Sequence, residues 1–323
     1  MFINHQSADN PHLNEVNLLK CIRQWLGSTA PPSPQGMGDD CAVITPANGL
    51  KQIITTDTLT YGIHFDATVS AHDAGAKLIK RNLSDIAAMG GTPSHAVLAL
   101  LCGPDISIDW LEAFFAGIRQ TCEQFTLSIV GGDISTLPAG QFSSALTLVG
   151  TAKKPRLRSG ANVGDAIYVT GQLGGSILKK HYAFLPRLDE GRWLAARPEC
   201  RAMLDITDGI AKDLQAIMPD NSSAQLDLKN IPVSKDAETL AISTGKEPME
   251  HAFCDGEDYE LLFAVDGKAA NADFEAQWQA DFPQVKLSKI GQFIEAVDTG
   301  IYIDSSTNEP LPWIHGYRHL VPE

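Results

Sequence analysis

Apolar positions in the first half of the chain fall into short runs and helical repeats that alternate with one another. KQIITTDTL (51–59) reads as a strand, and HDAGAKLIKRNLSDIAAMGG (72–91) carries helical periodicity closed by glycines. SHAVLALLCG (94–103) reads as a strand and DWLEAFFAGIRQTCEQF (109–125) as a helix. LSIVGGD (127–133) and SSALTLVGTAK (143–153) read as further strands. The turn-rich stretch AKKPRLRSGANVGD (152–165) breaks this pattern, and a second alternation follows. In it AIYVTG (166–171) is a strand, LGGSILKKHYAFL (173–185) and DGIAKDLQAIM (208–218) are helices, and AQLDL (224–228) and YELLFAV (259–265) are strands. The expected class is α/β (α+β), with one domain over 1–151 and a second over 152–323. NEVNLLKCIRQWL (14–26) reads as an amphipathic helix ended by PPSP, with packing as its only expected role.

Length supports this division, since 323 residues exceed one ordinary core and suit two. No apolar run approaches bilayer length, and the polar N-terminus MFINHQSADNPHLNE lacks the regions of a secretory signal, so a cytoplasmic protein is expected. Cysteines 21, 41, 102, 122, 200 and 254 include no C-x-x-C pair and read as reduced, packed thiols. A net charge of −14 argues against a nucleic-acid partner.

The acids that interrupt apolar segments change the picture. GDDCAVI (38–44) sets Asp39 and Asp40 against an apolar run, and adjacent side chains of an extended chain point to opposite faces, so at least one needs a partner. Asp57 in ITTDTL, Asp85 in NLSDIAAMGG, Asp133 in VGGDIS, and Asp205 and Asp208 in MLDITDGI are likewise flanked by apolar, glycine or hydroxyl residues. Each alone has a structural reading: Asp57 and Asp133 as turn formers, Asp208 as a helix N-cap, and Asp85 as the partner of Arg81 one turn earlier. Converging at strand ends, they would repel one another unless cations neutralised them. Oxygen ligands with Thr55, Thr56 and Thr207 nearby, and no His/Cys cluster, point to several Mg²⁺ ions on a polyphosphate.

Absent motifs narrow the chemistry. The chain has no G-x-x-x-x-G-K-[ST], no G-x-G-x-x-G and no G-x-S-x-G, so ATP would need a different cradle and nucleophilic hydrolysis is unsupported. GQLGGS (171–176) could offer backbone N–H groups to phosphate, although Gly-rich strand-to-helix turns are common. His315 and His319 in HGYRH have helical spacing but lack the glutamate of a zincin, and read as surface residues.

Read in order, GMGDDCAVI, TTDTLTYGIHF, NLSDIAAMGGTP, VGGDIS, RSGANVGDAIYVTGQLG, LDITDGIAKDL and DGEDYELLF resemble the thiamine-monophosphate kinase family from about residue 36 to Gly316 and Tyr317. That family belongs to a superfamily with aminoimidazole ribonucleotide synthetase, selenophosphate synthetase and a hydrogenase-maturation protein. The resemblance implies a two-domain aminoimidazole ribonucleotide synthetase-like fold whose N-terminal domain forms the sheet of a homodimer. It also implies ATP and thiamine monophosphate as substrates, with several Mg²⁺ ions. Carried over by position, it makes Asp40, Thr56, Asp57, Asp85, Asp133 and Asp205 Mg²⁺ ligands, with Thr55 and Asp208 as further ones. It assigns Gly132, Asp133, Arg158 and Thr207 to ATP, and His64, Glu257 and Tyr317 to the thiamine phosphate. The reaction implied is direct, metal-assisted transfer with no covalent catalytic residue; the alternative is a sister ATP-using activity or a silent Mg-nucleotide binder. Three positions depart from the family pattern: Thr207 stands for serine, Asp255 for glycine and Arg81 for an apolar residue.

Overall fold

A computed structural model of the chain describes residues 31–36, 38–46 and 51–317, together with Lys20 and Trp25. The helix expected over 14–26 and His319 therefore lie outside the described residues, those two positions apart.

The first sheet takes β1 (Ala42–Ile44), β2 (Lys51–Thr60), β3 (Thr92–Cys102), β4 (Ser128–Thr136) and β5 (Phe142–Ala152) in the order β1-β2-β5-β3-β4. Only the β3–β4 pair is parallel. Along β2, Ile53, Thr55 and Leu59 are buried whereas Thr56 and Thr58 are exposed, the period-two pattern of a strand covered on one face. The cover is α1 (Ala71–Ala88) and α2 (Ile108–Phe125), whose Leu78, Ile79, Leu83, Phe114 and Ile118 share a core with Ile53 and Leu59. Ser70 caps α1 by accepting from the Asp73 amide at 3.1 Å. A Cβ on Gly75 would lie 2.0 Å from the Phe114 carbonyl oxygen and one on Gly117 1.9 Å from that of His72, so only glycines allow these helices to approach this closely.

The second half builds a six-stranded sheet. Its elements are β6 (Ala166–Thr170), α3 (Lys180–Ala183), α4 (Leu188–Ala195), β7 (Cys200–Asp205), α5 (Ile210–Ile217), β8 (Ser222–Leu226), α6 (Lys235–Thr244), α7 (Pro248–Cys254), β9 (Leu261–Val265), α8 (Ala272–Asp281), β10 (Leu287–Glu295) and β11 (Tyr302–Asp304), with strand order β11-β8-β10-β6-β9-β7. Alternate residues of β6 feed two apolar layers: Ile167 and Val169 pack with Leu204, Leu214 and Phe293, and Ala166 and Tyr168 pack with Phe263 and Trp278. A strand buried on both faces reads as a continuous apolar run, as AIYV does.

The helix expected over 173–185 is broken. Gly174 and Gly175 take φ of 84° and 70°, and only a short 3₁₀ turn at Ser176–Leu178 and the four-residue α3 follow. A Cβ on Gly174 would come within 2.6 Å of the Ala252 amide, so packing against α7 overrides local helical propensity. The two halves meet along α1, where a Cβ on Gly191 of α4 would lie 2.0 Å from the Ala87 carbonyl oxygen. Among the described residues no helix is long and apolar enough to cross a membrane.

Candidate active site

The junction of the two sheets gathers the acids. Asp40 precedes β1, Asp85 lies in the last turn of α1 and Asp205 ends β7, and each has a carboxylate oxygen within 4.8 Å of the others. Each is held by a neighbour of opposite polarity. Arg158 reaches Asp40 with Nη2 at 2.9 Å and Nε at 3.3 Å, a two-pronged contact, while its backbone amide donates to Asp39 at 2.8 Å. Both carboxylates of GDD are thus partnered by one arginine. Thr55 Oγ1 donates to Asp85 and Ser84 Oγ donates to Asp205. Asp85 is not paired with Arg81, which reaches instead to the Thr58 carbonyl and, at 3.5 Å, to Asp57.

Gathering these acids has an electrostatic cost. Burial, then the charges of Asp57, Asp205 and Asp40, push the Asp85 carboxyl well above its ordinary range. Burial and then Asp40 do the same to Asp205, against the opposing Ser84 hydrogen bond and Arg158. The all-oxygen donor set and its surplus negative charge fit a hard divalent cation.

A cleft of about 790 Å³ opens beside this cluster, lined by Asp57, Asp85 and Asp205 together with His64, Glu257 and Tyr317. His64 Nδ1 accepts from the Thr60 amide at 3.0 Å. Lys77, fully buried in α1, donates to the His64 carbonyl at 2.6 Å and pairs with Glu257 at 2.8 Å, tying these two residues to one ammonium. Burial lowers the Lys77 pKa to about 8 against the pull of Glu257. Glu257 stands at φ 52°, a strained left-handed conformation for a residue with a side chain. Its amide donates to the Thr207 carbonyl at 2.7 Å and the Tyr317 amide donates to that of Asp208 at 2.9 Å, so the loops carrying Thr207, Asp208, Glu257 and Tyr317 are laced together.

Asp208 is not the N-cap of α5, a position that Gly209 takes. Asp213, which the sequence reading passed over, accepts instead from the amides of Thr207 and Asp208, both at 2.9 Å, and fixes the LDITDG loop. A carboxylate in the first turn after a loop of adjacent polar residues was the available signal.

Three expected site residues lie apart from the cluster. Thr56 points to the open face of the first sheet and donates to the Leu146 carbonyl at 3.0 Å. Gly132 and Asp133 sit on β4, three strands from β2: Asp57 is in register with Leu146, Leu146 with Leu98 and Leu98 with Gly132. At the usual strand spacing this is about 14 Å. A Cβ on Gly132 would meet the Leu98 carbonyl oxygen at 1.9 Å, which accounts for the glycine by sheet pairing alone. GQLGGS does not offer open amides, because Gly174 donates to Asp258 at 2.9 Å and Gly175 to Asp255 at 3.0 Å.

Comparison with known proteins joins these observations. Residues 38–152 match the model of the AIR synthase related protein, N-terminal domain. The thiamine-monophosphate kinase of Rhodopirellula baltica is 34% identical over 295 residues, 87% of this chain and 91% of that protein. That of Escherichia coli (strain K12) is 32% identical over 312 residues, 88% and 91% of the two chains. A solved structure of AaThiL complexed with AMPPCP and TMP superposes with a TM-score of 0.79 at 25% identity, covering 97% of this chain and 99% of that one. With its cleft at the junction of an AIR synthase-like N-terminal sheet and a second α/β layer, and with this extent of likeness, the chain belongs to the thiamine-monophosphate kinase family.

Proposed function

We propose that this chain transfers the γ-phosphoryl group of ATP to the phosphate of thiamine monophosphate, giving ADP and thiamine diphosphate. The observation that carries the reading is the convergence of Asp40, Asp85 and Asp205 beside a cleft that Asp85 and Asp205 line together with His64, Glu257 and Tyr317. An oxygen of the acceptor phosphate attacks the γ-phosphorus, the bond from that phosphorus to the β–γ bridging oxygen breaks, and the electron pair leaves with ADP. The attacking oxygen is already ionised near neutral pH, so no general base is required and none is assigned.

Asp40, Asp85 and Asp205, with Asp57, Asp208 and Thr55, would hold Mg²⁺, whereas Thr56 faces the open side of the sheet and is left out of this set. Bound there, Mg²⁺ would offset the charge of the two phosphates. Arg158 and Thr207 are assigned to ATP, and Glu257, His64 and Tyr317 to the thiamine phosphate. Lys77 keeps Glu257 and His64 at a fixed separation from the acid cluster. Free thiols at Cys41, Cys102, Cys122, Cys200 and Cys254 support a reducing, cytoplasmic setting. The domain division is proposed at 151/152, next to the end of β5 at Ala152.

The working unit is taken to be a homodimer joined through the first sheet. Supporting this, β4 is an edge strand exposed along its whole length, with Val130 at 62% and Ile134 at 78% exposure. Among the described residues β1 covers only residues 52–54 of β2, and no strand pairs with the edge of Thr55–Thr60 there. Closing β4 of one copy on this edge of the other brings Gly132 and Asp133 to the site that they cannot reach within their own chain.

Purified protein incubated with ATP, Mg²⁺ and thiamine monophosphate is expected to form thiamine diphosphate, detected by chromatography, and to form none with EDTA or with thiamine as acceptor. ATP binding without turnover of the monophosphate would move the protein to a sister activity. For the shared site, Asp57→Asn and Asp133→Asn should each be inactive alone. Coexpressed in equal amounts they should recover about a quarter of wild-type activity, because half of the dimers hold one intact site of two. No recovery would place Asp133 in its own chain's site or in none.

A further inference from the structure

We propose that Arg81 binds the phosphate of the acceptor, a role that rests on the kinase reading above and adds a residue to it. Arg81 lies on α1, one turn before Asp85. The guanidinium enters the cleft wall with only 13% of the side chain exposed, and its charge lies in the field of Asp57, Glu257 and Asp85. It therefore stands between the acids assigned to the metal and the residues assigned to thiamine phosphate, the interval in which donor and acceptor phosphates must meet.

Its hydrogen bonding is incomplete. Nη1 donates to the Thr58 carbonyl, which fixes the plane of the guanidinium. Nη2 is 3.5 Å from Asp57, at the limit of a hydrogen bond, and Nε is buried with no partner among the described residues. Buried donors are rarely left this way. The other cations of the cleft wall are committed: Arg158 holds Asp40 at 2.9 Å and Lys212 holds Asp208 at 2.7 Å. Lys77 lies behind the wall on Glu257. Arg81 is thus the cation whose carboxylate is held most loosely, and its planar fork matches a phosphate better than an ammonium would. Two anionic groups have to be brought together in this reaction, and a fixed charge at the acceptor lessens their repulsion before transfer.

The test compares wild type with Arg81→Leu, Arg81→Gln and Arg81→Lys, all first checked by thermal melting. Binding of thiamine monophosphate is followed by calorimetry with Mg²⁺ and a non-hydrolysable ATP analogue, and KM for each substrate is measured separately. Loss of a charged contact to phosphate should raise the Kd and KM for the monophosphate about ten- to a hundredfold in Arg81→Leu and Arg81→Gln, leave the KM for ATP within about twofold, and be partly restored in Arg81→Lys. Binding of thiamine, which has no phosphate, should not change. A folded Leu or Gln variant with unaltered affinity for the monophosphate, or with equal losses for both substrates, overturns the assignment. The wild type separates this outcome from failure of the kinase reading: if it neither binds nor phosphorylates the monophosphate, both fall, whereas normal turnover with insensitive variants removes Arg81 alone.

Discussion

Asp85→Asn is expected to reverse the order of stability with and without metal and to lower turnover about a hundred- to a thousandfold. The carboxylate is crowded by Asp40 and Asp205 within 4.8 Å and receives a hydrogen bond from Thr55 that an amide oxygen also accepts. A group whose folded-state pKa is raised binds protons in the native state that the unfolded chain has lost, so at neutral pH it opposes folding. Replacing the charge by an isosteric amide removes that opposition, and in EDTA the variant should melt higher than wild type by about 2–4 °C per kcal/mol recovered. In excess Mg²⁺ the order should invert, because wild type gains about 2.7 kcal/mol at a hundred times Kd while the variant loses a ligand and much of this gain. Thermal melts of both proteins in EDTA and in Mg²⁺, beside a turnover assay, decide the matter. Parallel shifts in the two buffers would show that Asp85 is not a metal ligand.

The largest loss of stability is expected from Glu260→Ala. Glu260 is buried at the end of DGEDYE, where it accepts from Arg187 at 2.7 and 2.8 Å, from Lys180 at 2.9 Å and from Thr170 at 2.7 Å. Burial alone would raise its pKa, but Lys180 and Arg187 outweigh it and bring the carboxyl down to about 2 from 4.5. Truncation removes the main counter-charge of two largely buried cations, leaving Lys180 with Asp258 at 3.9 Å and Arg187 with Glu190 at 3.8 Å, at a cost of about 3 kcal/mol. The melting temperature at pH 7 should fall by on the order of 10 °C. A depressed carboxylate pKa contributes stability that is present above the unfolded value and lost as pH falls through the folded one. The gap between wild type and Glu260→Ala should therefore narrow as pH drops from about 4.5 toward 2, when followed by denaturant melts. A constant gap would assign the loss to packing rather than to charge.

This contrast divides one motif into two duties. Glu257 faces the cleft from a left-handed backbone, whereas Glu260, three residues on, is an interior anchor between β6 and α4. Side-chain type cannot tell these acids apart, because what separates them is the direction that each faces after the chain turns at Gly256.

Much was legible in the sequence because the signals are local. Short apolar runs marked β2, β5 and β6 as strands, and helical period marked α1 and α2. Acids set singly in apolar surroundings marked the cluster, since an isolated buried charge requires a partner. Tertiary structure alone decided which acids meet. Asp40, Asp85 and Asp205 are far apart in the chain and converge because α1 packs across both β2 and the end of β7, while Asp133 is carried three strands away by the order β2-β5-β3-β4. It also decided that Arg81 turns to Asp57 rather than to Asp85, its neighbour one turn on, and that Gly174 and Gly175 break a helix to pack on α7. Composition and periodicity fix which residues must find partners; which partners they find depends on strand order and helix packing, contacts between residues distant in sequence that no local pattern encodes.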